Sequence, residues 1–260
     1  MADSWSLASF DLPAYRSRGA LHGTSDHPLI LGASPGTTGT MSLYRALVLL
    51  GISTVHYSTW FNATTGIEHT TYDRDPPGGP VPLLRPLFAD THPAPPVNLD
   101  AARTADLRFL AATDALLDTP AQEIFFDALA TFPRARVIIT ARDPLRWAAS
   151  RRARHPTDRV PLLPLLGLDN VPMGALSEAQ SAAALALWHK AVAASVPPER
   201  LLVLDLFTMP TDELWRRLCA FVDRPLPKRV AGSGELPPFP HEEYGDDVRR
   251  HSVDAAGRGG

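Results

Sequence analysis

The feature that most limits how this chain can fold is the passage from PLILGAS (28–34) through a glycine-rich loop into TMSLYRALVLLG (40–51). The first segment is a short apolar run ending in a turn, as a buried parallel strand does. The last carries apolar residues at helical spacing and stops at Gly51, where a glycine commonly ends a helix. A loop of this kind running into a helix gathers backbone N–H groups around one point, which suits a phosphate or pyrophosphate. Yet it holds no lysine, and no arginine before Arg45. Whether such a loop can do chemistry without that charge is the question its composition raises.

The alternation continues downstream. ISTVHY (52–57), DALLD (114–118), ARVIITA (135–141) and RLLVLDL (200–206) read as further strands. TPAQEIFFDALATF reads as a helix capped by Thr119, with Pro120 and Glu123 in its first turn. DPLRWAASRRAR is a helix with Asp143 as cap and Pro144 at its first position, and SEAQSAAALALWHKAVAAS (177–195) is one opened by Ser177. TDELWRRLCAFV (211–222) and LDAARTADLRFLAAT also look helical. Two proline-interrupted stretches, 58–100 and 155–174, show no long element and are expected to be functional or mobile loops. Strands alternating with helices predict an α/β fold of three layers, with a central, mainly parallel sheet of about five strands covered on both faces. At 260 residues one domain is expected, spanning 28–241, with a lead-in over 1–27 and a polar tail over 242–260.

Composition excludes several classes. A formal charge of −3 argues against a general nucleic-acid binder. The one cysteine, Cys219, rules out a disulfide framework and reads as core filling. The start MADSWSLASF lacks a basic n-region and an apolar h-region, and no apolar run approaches the length that crosses a bilayer. A cytoplasmic protein without a membrane partner is expected, and no metal-ligand cluster is read.

In a parallel sheet covered by helices, ligands sit beyond the carboxyl ends of the strands. Those ends deliver the loop from Gly32 to Thr40, then His56, Asp118, Arg142 and Asp205. Three readings of the loop can be compared. A nucleoside triphosphatase loop needs the Gly-Lys-Ser/Thr ending, which is absent. A dinucleotide loop could use Gly32, Gly36 and Gly39, but wants an acid about 20 residues later, and none follows strand two until Glu68. A phosphosulfate loop surrounds its anion with backbone N–H groups, threonine hydroxyls and a helix N-terminus, and Thr37, Thr38, Thr40 and Ser42 supply the hydroxyls.

GASPGTTGTMSLYRALVLLG resembles the start of P-loop sulfotransferase-like proteins, of the branch often found in bacteria and fungi. DALLDTPAQEIFFDALATFPRARVIITARDPLRWAAS is similar to their second block, LLVLDLFTMPTDELWRRLCAFVDRPLP to a late strand–helix block, and PPFPH (237–241) to a motif near the end. The resemblance implies 3′-phosphoadenosine 5′-phosphosulfate as donor, adenosine 3′,5′-bisphosphate as product, and sulfuryl transfer to a small-molecule acceptor. It implies that Gly36, Thr37, Thr38, Gly39, Thr40 and Met41 hold the phosphosulfate. It also implies that Arg142, with Ser150 eight residues later, holds the 3′-phosphate. An arginine fork suits a dianionic phosphate through charge-assisted, bidentate bonds. The neighbouring Arg146, Arg151, Arg152 and Arg154 read as a basic helix, widening the anion site or merely solvated.

This chain departs from the family at the loop's basic position, where it has Thr37. Losing one such electrostatic contact costs roughly 10²- to 10³-fold in rate. Another arginine could fill the place, the enzyme could be slow, or the fold could serve as a nucleotide-binding module without transfer. A nicotinamide-dependent reductase is a third reading. His56 and Asp118 are the candidates for the base that takes the acceptor's proton, with His22, His92 and His241 as further histidines. Trp60, Phe61, Leu83, Leu84, Leu162, Leu163 and Leu165 are expected to line an apolar acceptor pocket.

Overall fold

The computed structural model describes residues 29–56, 59–70, 113–118, 121–122, 124–157 and 171–241. Its strands are β1 (Ile30–Gly32), β2 (Thr54–His56), β3 (Thr59–Asn62), β4 (Ile67–Thr70), β5 (Ala115–Leu117), β6 (Arg136–Ala141) and β7 (Leu201–Asp205). They form one sheet in the order β4-β3-β2-β5-β1-β6-β7. The five strands legible in the sequence are the five that run parallel. Its helices are α1 (Thr40–Leu49), α2 (Phe125–Thr131), α3 (Pro144–Arg154), α4 (Glu178–Ser195) and α5 (Thr211–Phe221).

Alternation along the central strands sorts the core into two faces. Leu29, Leu31, Val137 and Ile139 pack with Phe125 and Phe126 of α2, Trp147 of α3 and Trp188 of α4. Ile30, Ile138, Leu202 and Leu204 point the other way, to Leu43 and Leu47 of α1 and to Trp215, Leu218 and Cys219 of α5. Because the side-chain period of a strand is two, both faces of β1 and β6 are apolar and both are covered. This is the expected three-layer α/β arrangement, and Cys219 is 3% exposed within it. No helix among the described residues is long and apolar enough to cross a membrane.

Several local expectations hold. Asp143 caps α3, its Oδ1 accepting the Arg146 N–H at 2.8 Å, with Pro144 in the first turn. Ser177 and Gln180 form a reciprocal capping box at the start of α4. Gly51, at φ 67°, follows the end of α1.

Two local expectations change. The stretch after β2 contains a hairpin, with β3 and β4 joined through a turn at residues 63–66 and added antiparallel to β2. Its four-residue strands are too short to show a period within aromatic and polar sequence. The helix expected from Thr119 begins at Phe125 instead. Asp118 adopts a left-handed conformation at φ 58°, and its carbonyl accepts the Ala121 N–H at 2.6 Å. Thr119, Pro120 and Glu123 lie outside the described residues, as do LDAARTADLRFLAAT up to residue 112 and residues 158–170.

The connections set the site. From β1 the chain passes through α1 on one face to β2, and from β5 through α2 on the other face to β6. β1 and β5 are neighbours in the sheet, so their outgoing connections diverge and leave a crevice at their carboxyl ends. The glycine loop and Asp118 border that crevice. The loop is pinned from behind by two indoles, Trp147 Nε1 donating to Gly36 O at 3.0 Å and Trp188 Nε1 donating to Ala33 O. Both rings are buried.

Trp147→Phe keeps most of the buried ring but strands the Gly36 carbonyl, and is expected to lower unfolding stability by about 1–3 kcal/mol. Trp215→Phe removes a comparable bond to Pro237 O, at 2.8 Å but only part-buried, and should cost less. Urea titrations of both variants check the ordering. Equal costs would mean that the indole on the loop does no special pinning.

Candidate active site

The loop from Ala33 to Gly39 is shaped by bonds that engage its carbonyls. Ala33 O accepts from Trp188 and Gly36 O from Trp147. Pro35 O accepts from Thr38 Oγ1 at 2.7 Å, and Thr37 O accepts from Arg142 Nη1 at 2.5 Å. Ser34 Oγ accepts the Thr140 N–H at 2.9 Å. Thr37, at φ 67°, and Gly39, at φ 96°, both take left-handed conformations, which turn successive peptide N–H groups to one side. Gly39 is also the N-cap of α1 and provides no side-chain cap, and the first turn carries no acidic residue. The helix therefore begins with amides that a bound anion can satisfy.

The three threonines of the loop divide in role. Thr38 is fully buried, and its hydroxyl serves the scaffold through Pro35 O and Thr140 Oγ1, the latter at 2.8 Å. Thr37 Oγ1 is buried and meets no hydrogen-bond partner among the described residues. Thr40 Oγ1 donates to Asp118 Oδ2 at 3.1 Å and lies 3.1 Å from His56 Nε2. Met41, in the first turn of α1, packs its side chain against the α1–α5 core.

Two strand ends and the start of α1 meet at that last contact. His56 Nε2 is 3.3 Å from Asp118 Oδ2, so Thr40 at the start of α1, His56 at the end of β2 and Asp118 just after β5 form a closed triangle. Asp118 is the more accessible member, its side chain 16% exposed against 4% for His56. The left-handed turn at Asp118 is what holds its carboxylate over the crevice.

Arg142, at the end of β6, lies 4.7 Å from the Phe207 ring centroid besides bonding Thr37 O. Burial lowers its pKa from the usual arginine value, and Arg154 and Arg146 push the same way while Asp143 opposes them. Like charges gathered at a partly buried guanidinium are the complement of an anion. Ser150 is partly buried on α3, two turns beyond. Asp205 is different, since its Oδ1 accepts the N–H groups of Phe207 and Thr208 at 2.9 and 3.1 Å and so caps a turn.

A residue weighed only as part of a basic helix reaches the loop as well. A Cβ placed on Gly36 would lie 2.6 Å from Arg151 Nη1 and 3.3 and 3.4 Å from the Asp118 carboxylate oxygens. Arg151 thus comes back from α3 to the loop, and only glycine leaves room for it. The helical period carried the signal. Trp147, which bonds Gly36, and Arg151 are four apart and share one face of α3.

The orphaned Thr37 hydroxyl, the uncapped α1 and the gathered arginines are the donor set that a nucleotide carrying phosphate and sulfate requires, so the residues present fit one. The other expected residues fall elsewhere. Trp60 is 3% exposed and stacks on His69 at 5.2 Å, a core position. Phe61 packs on the opposite core face. Glu68 pairs with Arg45 at 2.6 Å. His241 lies exposed, 6.3 Å from the Phe207 ring. His22, His92, Leu83, Leu84, Leu162, Leu163 and Leu165 are outside the described residues.

Residues 29–156, from β1 through α3, match a family described as a sulfotransferase domain. Among solved structures, the sulfotransferase STF9 from Mycobacterium avium is similar over 96% of this chain and 73% of its own, at 18% identity and a TM-score of 0.41. No curated protein matches significantly.

Behind the loop, Ser34 Oγ lies 3.4 Å from His189 Nε2, and burial lowers the pKa of that imidazole from 6.5 to about 4. The folded protein holds His189 neutral, whereas the unfolded chain protonates it below about pH 6.5. Stability contributed by the neutral ring is therefore complete above pH 6.5 and declines as pH falls toward 4. Denaturant titrations at stepped pH should show this slope in the wild type and a shallower one in His189→Gln. Identical slopes would contradict a neutral, half-buried His189.

Proposed function

We propose that this chain, which belongs over residues 29–156 to the sulfotransferase-like family, moves a sulfuryl group from 3′-phosphoadenosine 5′-phosphosulfate to a hydroxyl or amine of a small, partly apolar acceptor. The single observation that carries this reading is the arrangement around the glycine loop. An anion cradle of amides and arginines stands beside a carboxylate–imidazole pair, with Thr40 belonging to both. When bound, the phosphosulfate supplies an electrophilic sulfur and a phosphate leaving group.

The chain's own residues then have separable tasks. The first-turn amides of α1 and the Thr37 hydroxyl hold the 5′ end, and Arg142 with Ser150 holds the 3′-phosphate. Asp118, the accessible member of the triangle, receives the proton that the acceptor sheds. His56 and Thr40 fix its Oδ2, and His56 stabilises the orientation by the same logic as a base paired with an orienting group. The nucleotide-binding module without transfer remains the second reading, because Thr37 stands where the family has a cation.

Adenosine 3′,5′-bisphosphate is expected to raise the melting temperature more than AMP, ATP or NAD, since a ligand that binds only the folded state stabilises it. Arg142→Lys should erase most of the advantage over AMP, because a point charge replaces a fork. An equal response to AMP and the bisphosphate in the wild type would remove the 3′-phosphate site.

Asp118→Asn keeps the size of the side chain and tolerates the left-handed backbone. It is expected to reduce transfer of labelled sulfate to a panel of hydroxylated acceptors by about 10²- to 10⁴-fold, with bisphosphate binding equal or tighter. Undiminished transfer would take the proton-accepting role away from Asp118. Transfer by neither protein, with tight bisphosphate binding, would favour the binding module.

A further inference from the structure

We propose that Arg151 supplies, from α3, the positive charge that the glycine loop lacks at Thr37. This rests on the donor reading above and names the residue that completes its site. The geometry is specific. Arg151 Nη1 occupies the space where a side chain at Gly36 would begin, 2.6 Å from an ideal Cβ, and the Asp118 carboxylate flanks the same point at 3.3 and 3.4 Å. The guanidinium therefore lies against the backbone of the loop itself, one residue from Thr37, and next to the group that receives the acceptor's proton.

Three further observations favour a role toward the loop over a solvated one. Arg151 is partly buried, whereas Arg154, one turn on, is exposed. Its helix is fixed to the loop one turn earlier, by the Trp147 bond to Gly36 O, so the approach of Arg151 follows from a held backbone. The next residue of the loop, Thr37, contributes a buried hydroxyl with no partner among the described residues, a further donor on the same loop. A loop cation acts on charge that grows on the leaving phosphate. A guanidinium arriving through space can do this as well as one carried by the loop, provided the residue under it has no Cβ. Gly36 meets that condition.

The test separates the two ends of the nucleotide. Calorimetric titration compares adenosine 3′,5′-bisphosphate with adenosine 3′-phosphate, which lacks the 5′ group. The wild type should prefer the bisphosphate, and Arg151→Met should shrink that preference by about ten- to hundredfold while leaving adenosine 3′-phosphate unaffected. Gly36→Ala, whose methyl displaces the flexible end of Arg151, should reproduce the loss. Thr37→Arg should restore the preference in the Arg151→Met background, and in the wild type should crowd the guanidinium and weaken binding.

An unchanged preference in folded Arg151→Met would overturn the proposal and leave the donor reading standing. An equal loss of both ligands would also overturn it, because it would mark a structural role. A wild type that binds neither nucleotide would bring down the donor reading and this proposal with it.

Discussion

The structure depends on how the backbone from Ala33 to Thr37 is held. Carbonyls there are engaged by indoles from α3 and α4, by a threonine of the loop and by the arginine ending β6. The Ser34 side chain is held by β6 as well. With these carbonyls engaged, and with left-handed backbone at Thr37 and Gly39, the peptide N–H groups of the loop are left for a ligand. A glycine loop in isolation would sample many conformations, and ordering each residue costs roughly 1–2 kcal/mol of backbone entropy. The bonds to three surrounding elements offset that cost before any ligand arrives. Preorganised amides are worth most where charge changes during reaction, because nothing has to reorient at that moment.

The same pinning explains why the charges gather where they do. Arg142 cannot leave the loop without breaking its bond to Thr37 O, and Trp147 sets the face of α3 that carries Arg151 to Gly36. Arg142 keeps its position despite burial and the nearby Arg146 and Arg154. Opposite them, the Thr40–His56–Asp118 triangle joins the negative and basic groups to the first residue of α1. Thr40 therefore links the start of α1 to Asp118 and His56 through one hydroxyl.

Much of this was legible in the sequence, and what was not has physical causes. The five parallel strands, four of the helices and the caps at Asp143 and Ser177 follow from apolar runs and local capping chemistry, which act within a few residues. Asp118, before the late start of α2, is left-handed, a conformation that asparagine and aspartate tolerate but that sequence does not announce. The β3–β4 hairpin is held by pairing to β2, a contact between strands rather than a pattern within one. His56 and Asp118 were found by their place at strand ends, and they do meet. Thr38 was expected to meet the ligand through its hydroxyl, which instead faces the scaffold, because a loop side chain's direction depends on backbone angles that composition does not reveal. Arg151 was visible only as one of several arginines on α3. The bond between Trp147 and Gly36 is what singles it out.

A crystal structure with adenosine 3′,5′-bisphosphate bound would locate both phosphates. The 5′-phosphate is expected at the start of α1, bonded to the amides of residues 36–41, with the 3′-phosphate on Arg142 and the Arg151 guanidinium turned to the 5′ group. A nucleotide bound with its 5′-phosphate away from the loop, or with Arg142 still bonded only to Thr37 O, would contradict this placement.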